Sequence, residues 1–268
     1  MPVHAFLFAL GAAVTHALWN VLLAGRRRPQ AATTAALVCG LVAFAPAVGL
    51  TWRFTTAALP WLAASIALEI VYFALLTVAY ERFELSLVYP VARGLAPVLV
   101  LVVGTSFLGV GASALQVVGV VVVSSGILLV RRRGKGQLAG TVFGVLISLC
   151  IVGFTLVDRE GIRHAATIPF FWLAVLPPAL VGVALRRRAV LPEFDVRTAT
   201  AGLAMFSGYA LYLLALKVSP PHAAQATRES SIVMTTILAA IVLKEPVTRR
   251  RAIGVAVVLG GVALIAVS

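Results

Sequence analysis

Long apolar runs follow one another along the chain, broken only by short polar turns. Ten windows carry the pattern: residues 3–24, 32–51, 60–80, 86–107, 113–130, 138–157, 168–185, 199–216, 222–243 and 252–267. A helix needs about 20 apolar residues to cross the hydrocarbon core, whereas barrel strands are shorter and alternate apolar with polar positions. The spacing therefore predicts an all-α integral membrane protein of ten transmembrane helices. The connections are short enough to leave no room for a soluble domain.

Composition points the same way. Of 268 residues, 61% are hydrophobic and 12% charged, more apolar surface than a soluble domain of this length can bury. The net charge of +13 first suggests a nucleic-acid partner, and its placement excludes one. Sixteen of the 22 Lys and Arg residues fall in alternate turns. Arg26, Arg27 and Arg28 lie between helices 1 and 2, and Arg82 between 3 and 4. Arg131, Arg132, Arg133 and Lys135 lie between helices 5 and 6, Arg186, Arg187, Arg188 and Arg197 between 7 and 8, and Lys244, Arg249, Arg250 and Arg251 between 9 and 10. Only Arg53, Arg159, Arg163 and Lys217 fall on the opposite side, and Arg93 and Arg228 lie inside helices. Positive charge gathers on the cytoplasmic face, which places these turns inside a bacterial-type inner membrane and both termini outside. The basic clusters then read as topology signals and contacts to anionic lipid. The first apolar run has no basic stretch before it and reads as a retained helix. Cys39 and Cys150 fall in mid-helix and support neither a disulfide framework nor a metal site.

An offset of 135 residues lays Arg93 on Arg228, Gly119 on Gly254 and Gly126 on Gly261. A shift of half the chain length means duplication, with residues 1–133 as one repeat and 134–268 as the other. Five helices per unit is odd, so the second copy enters the membrane inverted. Such repeats are typical of secondary transporters, with the site near the midplane where the copies meet. Gly119, Gly126, Gly254, Gly260 and Gly261 sit among branched aliphatics and predict a close packing seam between helices 5 and 10.

Four ionisable residues fall within or near apolar runs: Glu69, Arg93, Arg228 and Glu229. At about 2.5–3.5 kcal/mol each on insertion scales, they cost on the order of 10 kcal/mol unless paired or wetted. Either they form a structural ion-pair set or they line a cavity where substrate meets charge. Pairing across the repeats, Arg93 with Glu229 or Arg228 with Glu69, is easier than pairing the neighbours Arg228 and Glu229. Pro90 and Pro97 bracket Arg93 and predict an irregular segment there, each proline removing one helical hydrogen bond. Tyr89 shares the Arg93 face one turn away, and Gln225 shares that of Arg228 and Glu229. On helix 1, His16 and Asn20 share a face bordered by Trp19, and His16 there suits proton coupling. Tyr72 follows Glu69 by one turn, and Tyr209 and Tyr212 offer further rings for a ligand. Asp158 and Asp195 are placed in or beside loops. No phosphate-binding loop, zinc motif or membrane aspartate pair occurs, so no cofactor or metal is expected and an ATP-driven pump or intramembrane protease is disfavoured.

The whole pattern resembles the drug/metabolite transporter superfamily, and within it the ten-helix EamA-type permeases. The resemblance rests on the two repeats and on the turn Leu243-Lys244-Glu245-Pro246 followed by the glycine-rich stretch from Gly254 to Val262. The corresponding turn of the first half, Phe107-Leu108-Gly109-Val110-Gly111, lacks the acid that the family carries there, which makes Glu245 a turn residue. The resemblance implies secondary transport, often export, of small metabolites such as amino acids. His16-Ala17-Leu18-Trp19-Asn20 with Tyr89-Pro90-Val91-Ala92-Arg93-Gly94 is similar to permeases associated with phosphonate use. It also implies cytoplasmic termini, and there the charge count of this chain is followed instead. A small polar metabolite with an anionic group is the expected substrate, bound by Arg93, Arg228, Glu69, Glu229, Tyr89, Gln225 and Tyr72 with His16, Trp19 and Asn20 as the wall. Two alternatives stay open: an exporter of organic cations using Glu69 and Glu229, and a receptor or scaffold that binds without flux.

Overall fold

A computed structural model describes residues 1–24, 26–83, 85–129, 137–242 and 247–268. The turn from Leu243 to Pro246, with Lys244 and Glu245, lies outside the described residues, as do Arg131, Arg132, Arg133 and Lys135. The described chain is all-α: α1 (Val3–Leu23), α2 (Pro29–Leu50), α3 (Leu59–Arg82), α4 (Leu85–Phe107), α5 (Ala114–Leu129), α6 (Gln137–His164), α7 (Thr167–Val190), α8 (Val196–Val218), α9 (Pro221–Arg228), α10 (Ser231–Val242) and α11 (Arg249–Ala266). The only bridge among the described residues joins Phe54 to Ala165. Seven of these helices are long and apolar enough to cross a membrane. Large apolar side chains such as Leu50, Leu138 and Leu185 stay exposed on the outer faces, where lipid replaces water as solvent. The molecule is a multi-pass membrane protein.

Local chemistry sets the helix ends. Pro29 occupies the first turn of α2, where its missing N–H costs nothing. Ser113 and Gln116 exchange side-chain and backbone hydrogen bonds at 3.2 and 3.3 Å to open α5, a capping box. Gly109, at φ 62°, lets the chain turn back at the end of α4, and Val110 N–H closes on the Gly104 carbonyl at 2.9 Å. Asp195 caps α8 by accepting from Thr198 N–H at 2.7 Å, and Arg26 reaches the same carboxylate at 2.6 Å. Those two donors hold the Asp195 carboxyl at about 2. A depressed acid stabilises the fold above its ordinary pKa and loses that contribution as pH falls toward the folded value. This cap therefore holds from about pH 4 upward and is lost toward pH 2. Arg197 donates to the carbonyls of Val21 and Ala24 and so closes the end of α1. These arginines work as staples between helix ends.

Three expectations need correction. Pro90 and Pro97 do not break α4, which runs unbroken through both. The break falls instead between α9 and α10, at Glu229 and Ser230, where no proline or glycine stands. There Ser230, Ile232 and Val233 bond to carbonyls three residues back, the tighter pitch of a 3₁₀ turn. Asp158 lies in no loop: α6 continues past it to His164, and the residue is 1% exposed. Arg186, Arg187 and Arg188, expected in a turn, form the end of α7, kinked at Arg186.

Packing pairs the helices in a regular way. α1 lies along α8 and α6 along α3, while α2 touches α7 and α8. α4 packs on α6, α9 and α10 pack on α1, and α5 packs against α11. The α5–α11 crossing is a close one. A Cβ built on Gly119 would stand 2.9 Å from the Gly261 carbonyl, and one on Gly126 would stand 2.8 Å from the Gly254 carbonyl. Residue order runs oppositely along the two helices, so they are antiparallel. Gly260 does not belong to the seam, since nothing lies within 4 Å of its Cβ position. Gly126→Ala drives a methyl into backbone rather than into a side chain that can yield. Overpacking of that kind costs about 1–3 kcal/mol, so the variant should melt several degrees lower in detergent, while Gly260→Ala should melt with the parent.

Candidate functional site

Six helices send polar side chains into one buried region: His16 from α1, Glu69 and Tyr72 from α3, Tyr89 and Arg93 from α4, Thr155 and Asp158 from α6, Tyr209 and Tyr212 from α8, and Gln225 and Arg228 from α9, with Glu229 just beyond it. Every residue from Pro221 to Ser230 is buried, so α9, short and broken at its end, is enclosed on all sides. In lipid such polar burial is tolerated only where groups satisfy one another or meet a ligand.

One ion pair joins the two halves. Arg93 Nε lies 3.0 Å from Glu229 Oε2, the cross-pairing expected from the 135-residue offset. The N–H itself does not point at the oxygen, so this is a charge contact more than an aligned hydrogen bond. Gln225 fixes the same carboxylate by donating to Oε1 at 2.7 Å. Tyr212 donates in turn to Gln225 Oε1, and Thr155 Oγ1 meets the Tyr212 hydroxyl at 3.1 Å. The chain Thr155–Tyr212–Gln225–Glu229–Arg93 thus links α6, α8, α9 and α4.

Arg228 is held differently. Its guanidinium lies 4.5 Å from the centre of the Tyr212 ring and 5.7 Å from that of Tyr209. It is 8% exposed, and its Nε has no hydrogen-bond partner. The expected Arg228–Glu69 ion pair does not form among the described residues: Glu69 feels the charge of Arg228 without contact, and that of Asp158 as well. Tyr209 donates to Asp158 Oδ2, while Oδ1 makes no well-aligned hydrogen bond and has the buried Ser65 hydroxyl beside the carboxylate.

His16 has donors on both sides. Trp19 Nε1–H points at Nδ1 from 3.3 Å, and Arg93 Nη2 stands 3.5 Å from Nε2. A neutral imidazole offers one acceptor nitrogen and a protonated one offers none. Whichever tautomer is present, one donor therefore faces another donor. The Arg93 contact is at the limit of hydrogen-bond distance, so Nδ1 serves Trp19 and Nε2–H is left facing the arginine.

Of the residues singled out in the sequence, Arg93, Glu229, Gln225, Arg228, Glu69, Tyr72, Tyr89 and His16 are brought into this region. Tyr72 packs edge-on to Phe154, with ring centres 5.7 Å apart, and Tyr89 stands beside Arg93. Trp19 orients His16 and reaches no other member of the set. Asn20 returns its amide to the His16 carbonyl at 2.7 Å, which engages it with its own helix. Asp158 and Thr155 were missed. Their signal was the spacing Thr155, Asp158, Ile162, all buried, which is one face of a helix that continues past the first charged residue.

Comparison with known proteins agrees with this architecture. No curated protein matches the sequence. Twenty-nine chains of solved structures match the fold. One of them, described only as "Crystal structure of protein", superposes with a TM-score of 0.75 at 16% identity, covering 98% of this chain and 96% of that one. At that identity the likeness speaks for the fold alone. The family model of the EamA-like transporters matches residues 138–267, the half that carries Asp158, Tyr212, Arg228 and Glu229. Over residues 138–267 the chain matches the EamA-like transporter family, membrane transporters of the drug/metabolite type.

Proposed function

We propose that the protein is a secondary transporter that carries a small anionic or zwitterionic metabolite across the cytoplasmic membrane by alternating access. The anionic group sits against Arg228 and His16, beside Arg93. One observation carries this reading: the region holds more donors than acceptors where Arg228 Nε is unpartnered and His16 is flanked by N–H groups. A carboxylate or phosphonate supplies acceptor oxygens for both, and a guanidinium binds such groups through a planar fork of donors. Arg93 is already neutralised by Glu229, so Arg228 is the cation free to meet a ligand. A protonated His16 would face donors only, and the proposal gives it no role in proton coupling.

The acids point to the other end of the substrate. Glu69 makes no hydrogen bond or ion pair among the described residues, and Asp158 in the same region keeps one oxygen without a well-aligned donor, with only the Ser65 hydroxyl beside it. An ammonium group satisfies both, which favours an amino-acid-like or aminoalkyl phosphonate zwitterion. A second reading, an exporter of organic cations, is favoured by the rings of Tyr72, Phe154 and Tyr209 around these acids. In that reading Glu69 and Asp158 are the binding carboxylates, because Glu229 is already engaged.

The inverted repeat is part of the proposal. Exchanging α1–α5 with α6–α11 turns the α1–α8 contact into α6–α3, α2–α8 into α7–α3, and α4–α6 into the packing of α9 and α10 on α1. The same exchange turns the Gly119–Gly261 approach into Gly254–Gly126. These correspondences support two five-helix units, residues 1–133 and 134–268, with α9 and α10 sharing one crossing and ten crossings in all. The arginine-rich ends then face the cytoplasm and both termini the outside.

A thermal-shift panel of purified protein against amino acids, aminoalkyl phosphonates and their carboxylate-blocked amines tests the choice of ligand. Stabilisation by zwitterions and by none of the blocked amines is the expected result, and the reverse order establishes the cation reading instead. Asp158→Asn should weaken zwitterion binding roughly tenfold, the loss of about one charge-assisted hydrogen bond, and leave binding of a simple carboxylate nearly unchanged.

A further inference from the structure

The charge-poor side of the protein keeps only four cations, Arg53, Arg159, Arg163 and Lys217. Three of them, Arg159, Arg163 and Lys217, line a single cavity of about 800 Å³. Residues that topology tends to deplete on this face have thus been kept together in one concave place. Its walls come from the ends of α3, α6 and α8 and from the turn at Gly109, with Trp61 exposing a ring to it. Glu160 is the one acid of the lining; it is shared by Arg159 at 3.6 Å and Arg163 at 3.0 Å. Lys217 has no acid partner among the described residues. Three cations against one carboxylate, around a cavity with low-dielectric walls, make a field that gathers anions.

The floor of this cavity is Ser219 and Pro220, and α9 starts at the next residue and ends at Arg228. Eight residues at 1.5 Å each put the two about 12 Å apart along the helix. One short helix therefore runs from the basic cavity to the unpartnered guanidinium. A second group waits on its first turn: His222 is fully buried, bonds Gln116 through Nε2 at 3.1 Å and keeps Nδ1 unpartnered.

We propose that this vestibule is an outer anion-binding subsite that recruits the anionic group of the substrate and delivers it along α9 to the central site. The recruiting role rests on the transport reading above; the binding of anions in the vestibule does not. The test uses protein in nanodiscs of zwitterionic lipid, with iodide and the neutral quencher acrylamide acting on tryptophan fluorescence. Subtracting the signal of Trp61→Phe isolates the vestibule ring. Iodide should quench Trp61 at least threefold more strongly in the parent than in Lys217→Gln/Arg163→Gln, with equal acrylamide quenching in the two. Glu160→Gln should raise the iodide effect, and 1 M salt, where the screening length is about 3 Å, should erase the difference. Equal iodide quenching in parent and double variant overturns the anion site. In proteoliposomes the double variant should raise KM at least threefold at low salt with an unchanged maximal rate. An unchanged KM, with iodide quenching lost, overturns the recruiting role alone. Absence of any flux in the parent protein counts against the transport reading and leaves the iodide result standing.

Discussion

Arg228→Gln should abolish concentrative uptake of an anionic or zwitterionic substrate while leaving the protein folded, and with a melting temperature at or above that of the parent. Arg228 makes no ion pair among the described residues and rests on the faces of Tyr212 and Tyr209. A buried cation of this kind costs about 2.5–3.5 kcal/mol on insertion scales, and a ring contact returns about 2 kcal/mol or more where the cation is desolvated. Its removal thus costs the empty protein little. Its loss to a bound oxyanion is large: a hydrogen bond to a charged group is worth about 1.5–3 kcal/mol, and a two-pronged contact roughly doubles that, for a loss of affinity of 10²-fold or more. Arg228→Lys keeps the charge and loses the fork, and it should fall between the two. Binding by calorimetry, set beside thermal melting of the same samples, separates these effects.

Arg93→Gln should behave in the opposite sense. Its partner Glu229 is 2% exposed and would keep only Gln225 at 2.7 Å. Removing one member of a buried pair costs about 3–5 kcal/mol because it strands the other charge. The single variant should therefore melt far below the parent or fail to insert. Arg93→Gln/Glu229→Gln should recover most of the lost stability, since two neutral amides replace two charges. A double-mutant cycle on melting temperature measures the coupling. Independent, additive losses would mean that the pair does not hold the two halves together.

The contrast between the arginines shows how far the sequence could be read. The offset that lays Arg93 on Arg228 picked out both, and the same offset picked out the glycines of the α5–α11 seam. Their different fates were out of reach, because symmetry equates positions in the chain and not partners in space. Arg93 met an acid from α9, whereas Arg228 met rings from α8. Pro90 and Pro97 misled because a proline removes one hydrogen bond without ending a helix that its neighbours hold. The real break, at Glu229 and Ser230, has no proline or glycine to announce it. Asp158 was lost because an apolar window stops at the first charge, while α6 runs on by another six residues. Asn20 was overvalued because a shared helical face says nothing about a side chain that bonds its own backbone.

The zwitterion reading depends on which of these groups a ligand touches. Arg93, Glu229, Gln225, Tyr212 and Thr155 already answer one another. Arg228, His16, Glu69 and Asp158 do not, and they are divided by charge: donors on the side of α1 and α9, acids on the side of α3 and α6. A substrate with an acid at one end and an amine at the other supplies both missing partners at once.

The most direct measurement is solute counterflow in proteoliposomes, with labelled amino acid or aminoalkyl phosphonate outside and unlabelled excess inside. Parent protein should accumulate label transiently and Arg228→Gln should not, although the variant melts no lower than the parent. Equal counterflow by parent and Arg228→Gln would contradict the account, because the anionic group would then be held elsewhere.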